Sequence, residues 1–116
     1  MSEPFELETW VVEVGGEVVQ KWVEQGEAAL TPIESLIYCL WVADYGMRNA
    51  GDLETATDLY APFQNEAARL AAELGLRITH GAFALPKAAL QNQYFDLFDG
   101  ICEEIRVALG EQSRRT

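Results

Sequence analysis

Basic residues are scarce in this chain. Eight Lys and Arg stand against 19 Asp and Glu in 116 residues, a formal net charge of −11. A surface of that sign repels phosphates, which disfavours direct binding to nucleic acid. Histidine is scarcer still. His80 stands alone, so a histidine-based metal site would need carboxylates or thiols brought in by the fold; its neighbours Thr79 and Gly81 offer none. It reads as a surface-loop residue, and no metal is expected. Cys39 and Cys102 are the two cysteines, and their spacing matches no zinc pattern. Both lie among apolar residues, as buried free thiols do. No apolar run approaches the roughly 20 residues that span a bilayer. The start, MSEPFELE, has neither a basic n-region nor an apolar h-region, so no signal peptide is expected and the default compartment is cytoplasmic. Phosphate loops, dinucleotide fingerprints and nucleophile elbows are absent too. No cofactor and no catalytic residue is expected, and the chain reads as a non-enzyme.

Apolar residues, by contrast, are plentiful. They make up 49% of the sequence and include Trp10, Trp22 and Trp41. That share argues against disorder despite the charge. The length suits one domain over residues 1–116, with a single core.

The hydrophobic spacing predicts an all-α fold, a small bundle of about four helices. Thr31-Pro32-Ile33-Glu34 combines an N-cap, a first-turn proline and a capping-box glutamate. Ile33, Leu36, Ile37, Leu40, Trp41 and Met47 follow at helical spacing, giving a second helix over 32–49 that stops at Asn49-Ala50-Gly51. Asp52 can cap a third helix over 52–74, with Pro62 kinking it or breaking it just upstream and Gly75 ending it. Residues 77–85 show neither period and read as a loop. Pro86 opens a last helix over 86–109, closed by Gly110, with a frayed polar tail over 111–116.

The N-terminal segment WVVEVGGEVVQKWV admits two readings. Gly15-Gly16 suits a hairpin turn, but neither face of such a hairpin is cleanly apolar. A helix groups Val11, Val14, Val18, Val19 and Trp22 on one side, and Glu6, Glu13, Glu17 and Glu24 in a narrow arc on the other. Two interior glycines cost that helix about 1 kcal/mol each. The helix is favoured because it separates charge from apolar residues far better.

These spacings define the candidate sites. Glu6, Glu13, Glu17 and Glu24 form one acidic row, about 27 Å long at the usual helical rise. Asp96, Asp99 and Glu103 form another on the last helix, with Glu104 beside it. Rows of carboxylates imitate a phosphate backbone and attract basic proteins. They are also what the wet faces of amphipathic helices look like. Asp44, Tyr45, Arg48 and Asn49 form a polar cluster. Asp44 shares the apolar line of Ile33, Ile37 and Leu40, so it needs a partner, and Arg48 lies four residues on. A buried cluster that fixes helix positions is favoured there over a binding site.

Over Leu30 to Gly51 the chain resembles a bacterial family of small acidic helical proteins that includes a DNA mimic of transcription-regulator partners. Leu30-Thr31-Pro32-Ile33-Glu34 matches the family's helix start, Leu40-Trp41 its apolar-Trp step, and Asn49-Ala50-Gly51 resembles its Asn-Gly-Gly-Phe turn. Ala50 stands in place of a glycine and Asp52 in place of the aromatic. The resemblance implies an all-helical fold, with Asn49 and Gly51 as turn formers, and names no catalytic residue. The expected function is therefore a protein-protein interaction module. Its acidic faces would engage a basic partner: a regulator, a nucleic-acid-binding protein or a toxin. The alternative is a self-associating domain, most simply a homodimer, whose charge serves solubility.

Overall fold

The computed structural model describes residues 6–115, with side chains described through Glu111. Every regular element among them is helical. In chain order they are α1 (Glu6–Gln25), a 3-10 turn (Glu27–Ala29), α2 (Pro32–Ala50), α3 (Glu54–Leu59), α4 (Phe63–Leu74), α5 (Arg77–Phe83) and α6 (Lys87–Arg115). The all-α class holds, but six helices replace the expected four or so. The reading of the N-terminal start rests partly on Met1–Phe5, which lie outside the described residues, as does Thr116.

α2 is the centre of the fold. Ile33, Leu36, Ile37, Cys39, Leu40, Val42, Ala43 and Met47 are buried and occupy most of its circumference, as befits a helix packed on several sides. Its start is specified locally. Thr31 Oγ1 accepts from the Glu34 backbone N–H at 3.3 Å, and Glu34 Oε1 accepts from the Thr31 backbone N–H at 2.9 Å. Its end is Gly51 at φ 74°, a left-handed position that glycine adopts without strain.

α1 runs straight through both glycines and presents Leu7, Val11, Gly15 and Val18 to the core. Gly15 is there because of packing. A Cβ on it would lie 2.4 Å from Trp41 Cδ1, so its absence lets α1 settle against α2. Gly16 points into open space, and its freedom serves no contact.

Two segments differ from expectation, and the helix expected over 52–74 takes the second of its two forms, a break upstream of Pro62 that leaves two helices. Tyr60 is extended (φ −155°, ψ 91°) and Pro62 starts the next segment, so α3 ends before the proline rather than bending through it. The break turns Tyr60 into a ring cluster with Trp22 and Tyr38, at centroid distances of 5.6 and 5.3 Å. The segment over 77–85, expected as a loop, forms α5. The last helix, expected over 86–109, passes through Gly110 and reaches Arg115, so of the frayed tail expected over 111–116 the described part, 111–115, is helical. Gly110 has no positive φ, and a Cβ added there would meet nothing within 4 Å, so nothing forces a stop.

Candidate interaction surface

The polar cluster is a knot between three helices. Asp44, on α2, is 4% exposed. Its Oδ1 accepts from the Tyr94 hydroxyl of α6 at 2.7 Å, and both its oxygens accept from Arg48 Nε at 3.0 Å. Arg48 Nη1 also pairs with Glu8 of α1. The guanidinium lies over Phe98 and Phe95 of α6, 4.7 and 5.1 Å from the ring centroids. Burial lifts the Asp44 carboxyl above the usual Asp range, against the pull of the Tyr94 hydroxyl and Arg48. Burial, with Asp44 beside it, pushes the Tyr94 hydroxyl well up. Every group in the knot is engaged with another, so its role is to fix α1, α2 and α6 relative to one another. Tyr45 and Asn49 do not join these bonds, but they line a small pocket of about 110 Å³ with Asp44, Arg48, Val12 and Trp41. Tyr45 is exposed and stacks on Trp41 at 5.7 Å, and the Asn49 amide donates to the Tyr45 carbonyl at 2.8 Å.

The acidic rows divide. Glu6 approaches Arg106 of α6 at 3.4 Å, so that end of the first row serves to pack α1 on α6. Glu13, Glu17 and Glu24 are exposed on α1; Glu24 accepts only from Gln20 of its own helix, at 3.1 Å. Lys21, which by sequence dilutes this row, is drawn away. Its Nζ donates to Glu34 Oε1 at 2.8 Å. Burial raises the Glu34 carboxyl, but the bonds from Lys21 and Thr31 outweigh it and hold the group low. On α6, Asp96, Asp99 and Glu103 are exposed, and Arg106 reaches Glu103 only at 3.7 Å.

Arg69 is held between Glu66 and Glu73 on α4, and Lys87 pairs with Glu54 at 2.8 Å. Most of the scarce cations are thus consumed in internal pairs. Among the described side chains, Glu13 and Glu17 on α1 and Asp96 and Asp99 on α6 form no ion pair with a cation.

One structural carboxylate carries no local mark of its role in the sequence. Glu104 is not a surface charge beside the second row. Its Oε2 accepts from the Ile78 backbone N–H at 2.9 Å, and its Oε1 from the Thr79 N–H and hydroxyl, both at 2.7 Å. It caps α5 from another helix. No signal near Arg77 announces that partner, because it lies 25 residues beyond Thr79.

Neither the thiols nor the histidine assemble a reactive centre. Cys39 and Cys102 are free and buried. Burial pushes the Cys39 thiol up to about 12 and that of Cys102 well above its usual value, so neither ionises at neutral pH. His80 is exposed, on α5 rather than on a loop. Among the described residues, no three His, Cys, Asp or Glu side chains converge as a metal-ligand set, and no helix is long and apolar enough to cross a membrane. No protein-family model, curated protein or solved structure matches the chain.

Proposed function

We propose that the protein is a non-enzymatic interaction module whose acidic helix faces engage a basic surface on another protein, as a DNA mimic or a toxin-neutralising protein does. The observation that carries this reading is the use of the cations. Lys21, Arg48, Arg69, Lys87 and Arg106 are tied up within the molecule, while Glu13, Glu17, Asp96 and Asp99 face solvent on two helices. The knot at Asp44 supports it by accounting for the buried polar groups without any chemistry. The resemblance over Leu30 to Gly51 points the same way, and a cytoplasmic setting goes with it.

The test is charge reversal on α1. Glu13→Lys, Glu17→Lys and Glu24→Lys together remove the row without touching the core, and they leave Glu6 on Arg106. Partner binding is expected to weaken steeply with salt, since exposed charges are screened beyond about 8 Å at physiological ionic strength. It is expected to disappear in the triple variant while the circular dichroism spectrum stays helical. Unchanged affinity in that variant contradicts the proposal.

A second reading, self-association, draws support from apolar side chains left in solvent: Val12 and Val23 on α1, and Ile78 and Val107 on α5 and α6. Light scattering decides it. A mass that stays monomeric across concentration rejects the homodimer.

A further inference from the structure

Between α5 and the C-terminal half of α6, and bounded by the end of α4 at Leu74, Gly75 and Leu76, lies an open groove of about 500 Å³. Its floor is apolar. Ile78 is 49% exposed and Val107 58%, and Gly100 and Ala108 line the groove with them. Gly100 keeps the floor low, because a Cβ there would meet Ile78 Cγ2 at 3.1 Å. The rim is acidic. Glu103 and Glu111 line the groove and are exposed, and Glu103 is the end of the α6 row that begins at Asp96 and Asp99. Glu103 and Glu111 also border an adjoining depression of about 260 Å³, shared with Arg106. Arg106 itself is turned to Glu6. Arg77, the cation of α5, does not line the groove; it borders an adjoining hollow with His80 that meets the groove at Gly75 and Leu76. The α5 wall is held rigid by Glu104, whose carboxylate binds the amides at the helix start.

We propose that this groove is the docking site for a basic amphipathic helix of the partner protein. Its apolar side chains would seat between Ile78 and Val107, and its Lys or Arg side chains would meet Glu103, Glu111 and the Asp96–Asp99 row. The inference rests on the acidic-interaction reading and sharpens it: charge brings the partner in, and an apolar anchor holds it. Charge complementarity selects the occupant. An apolar floor alone accepts any greasy surface, but an apolar floor with carboxylates along the rim rejects acidic segments, including the exposed faces of a second copy of this chain. A trough walled by α5 and α6, with the end of α4 adding Leu74 and Leu76 to its apolar lining, suits a helix, which lays an apolar ridge into it and flanks the ridge with charge.

The probe is a helical peptide of about five turns, with Leu at helical spacing and Lys on both flanks. A scrambled peptide of identical composition serves as control. Both are titrated into the isotopically labelled full chain and followed by amide chemical shifts. The amphipathic peptide is expected to move Ile78, Gly100 and Val107 first. The double variant Ile78→Ser, Val107→Ser alters exposed side chains only, and it is expected to weaken that peptide about tenfold or more by removing both apolar side chains that seat it. The scrambled peptide is expected to bind weakly and indifferently to the variant. Equal binding of both peptides, untouched by the double variant, overturns the groove and leaves the acidic-surface reading standing. No binding of either overturns both. Groove amides that shift with protein concentration alone assign the site to a second copy and overturn the proposal.

Discussion

Gly15 and Gly16 are neighbours of one residue type with opposite consequences. Gly15 sits under Trp41, and an added methyl would overlap its ring. Gly15→Ala is expected to cost about 1–3 kcal/mol through overpacking. Gly16 meets nothing, so Gly16→Ala is expected to gain about 0.5–1 kcal/mol from helix propensity. Urea unfolding of the two variants checks both signs. Asp44 makes a second prediction at this scale. Burial places its native carboxyl above the ordinary Asp value, so the native state binds this proton more tightly than the unfolded chain does. The stability it contributes is fully present below the unfolded value and is lost as pH rises through the raised native one. Acidification from neutral toward the ordinary Asp range should therefore shift the stability difference between wild type and Asp44→Asn in favour of wild type. A shift the other way would place the native carboxyl below the ordinary value. In the sequence, Asp44 stands on an apolar line with Arg48 four residues on. Tyr94, fifty residues away, carries no local mark of its bond to Asp44.

The helices that can be read from sequence are those whose signals are local. α2 carries its own capping box and its own glycine stop, and it forms where its pattern says, extended by one residue to Ala50. α1 tolerates its two glycines because the separation of Glu13, Glu17 and Glu24 from the Val11–Val18 face outweighs a turn signal. α5 is invisible for the converse reason. Its seven residues show no apolar period, and the groups that satisfy its first amides belong to Glu104 on α6. The break at Tyr60 carries a local mark in Pro62, but the ring cluster it forms with Trp22 and Tyr38 is a contact between distant elements. The element-scale prediction follows from the borrowed cap. Glu104→Ala strands two backbone amides and the buried Thr79 hydroxyl, at about 1–3 kcal/mol. Hydrogen exchange should accelerate across α5 while the amides of α2 stay protected. Equal loss of protection in both helices would mean that Glu104 supports the whole fold rather than α5.

At the scale of the molecule, the Cα radius of gyration of 13.2 Å is that of an ordinary folded domain of this length, so a net charge of −11 is carried on a compact body. Among the described side chains most of the scarce cations are used inward, while carboxylates such as Glu13, Glu17, Asp96 and Asp99 face outward, which gives the protein a long-range negative field. That division is only half visible in the sequence. The rows on α1 and α6 follow from helical spacing, but the removal of Lys21 to Glu34 and of Glu6 to Arg106 depends on how the helices meet. The groove on α6 is hidden along with α5, which supplies one of its walls. The most direct test of the account is a paired capture from host lysate, with wild-type protein on one matrix and the Glu13→Lys, Glu17→Lys, Glu24→Lys variant on another, both eluted through a salt gradient. A basic protein retained by wild type, released at moderate salt and missing from the variant is the expected result. Identical eluates from the two matrices would contradict it.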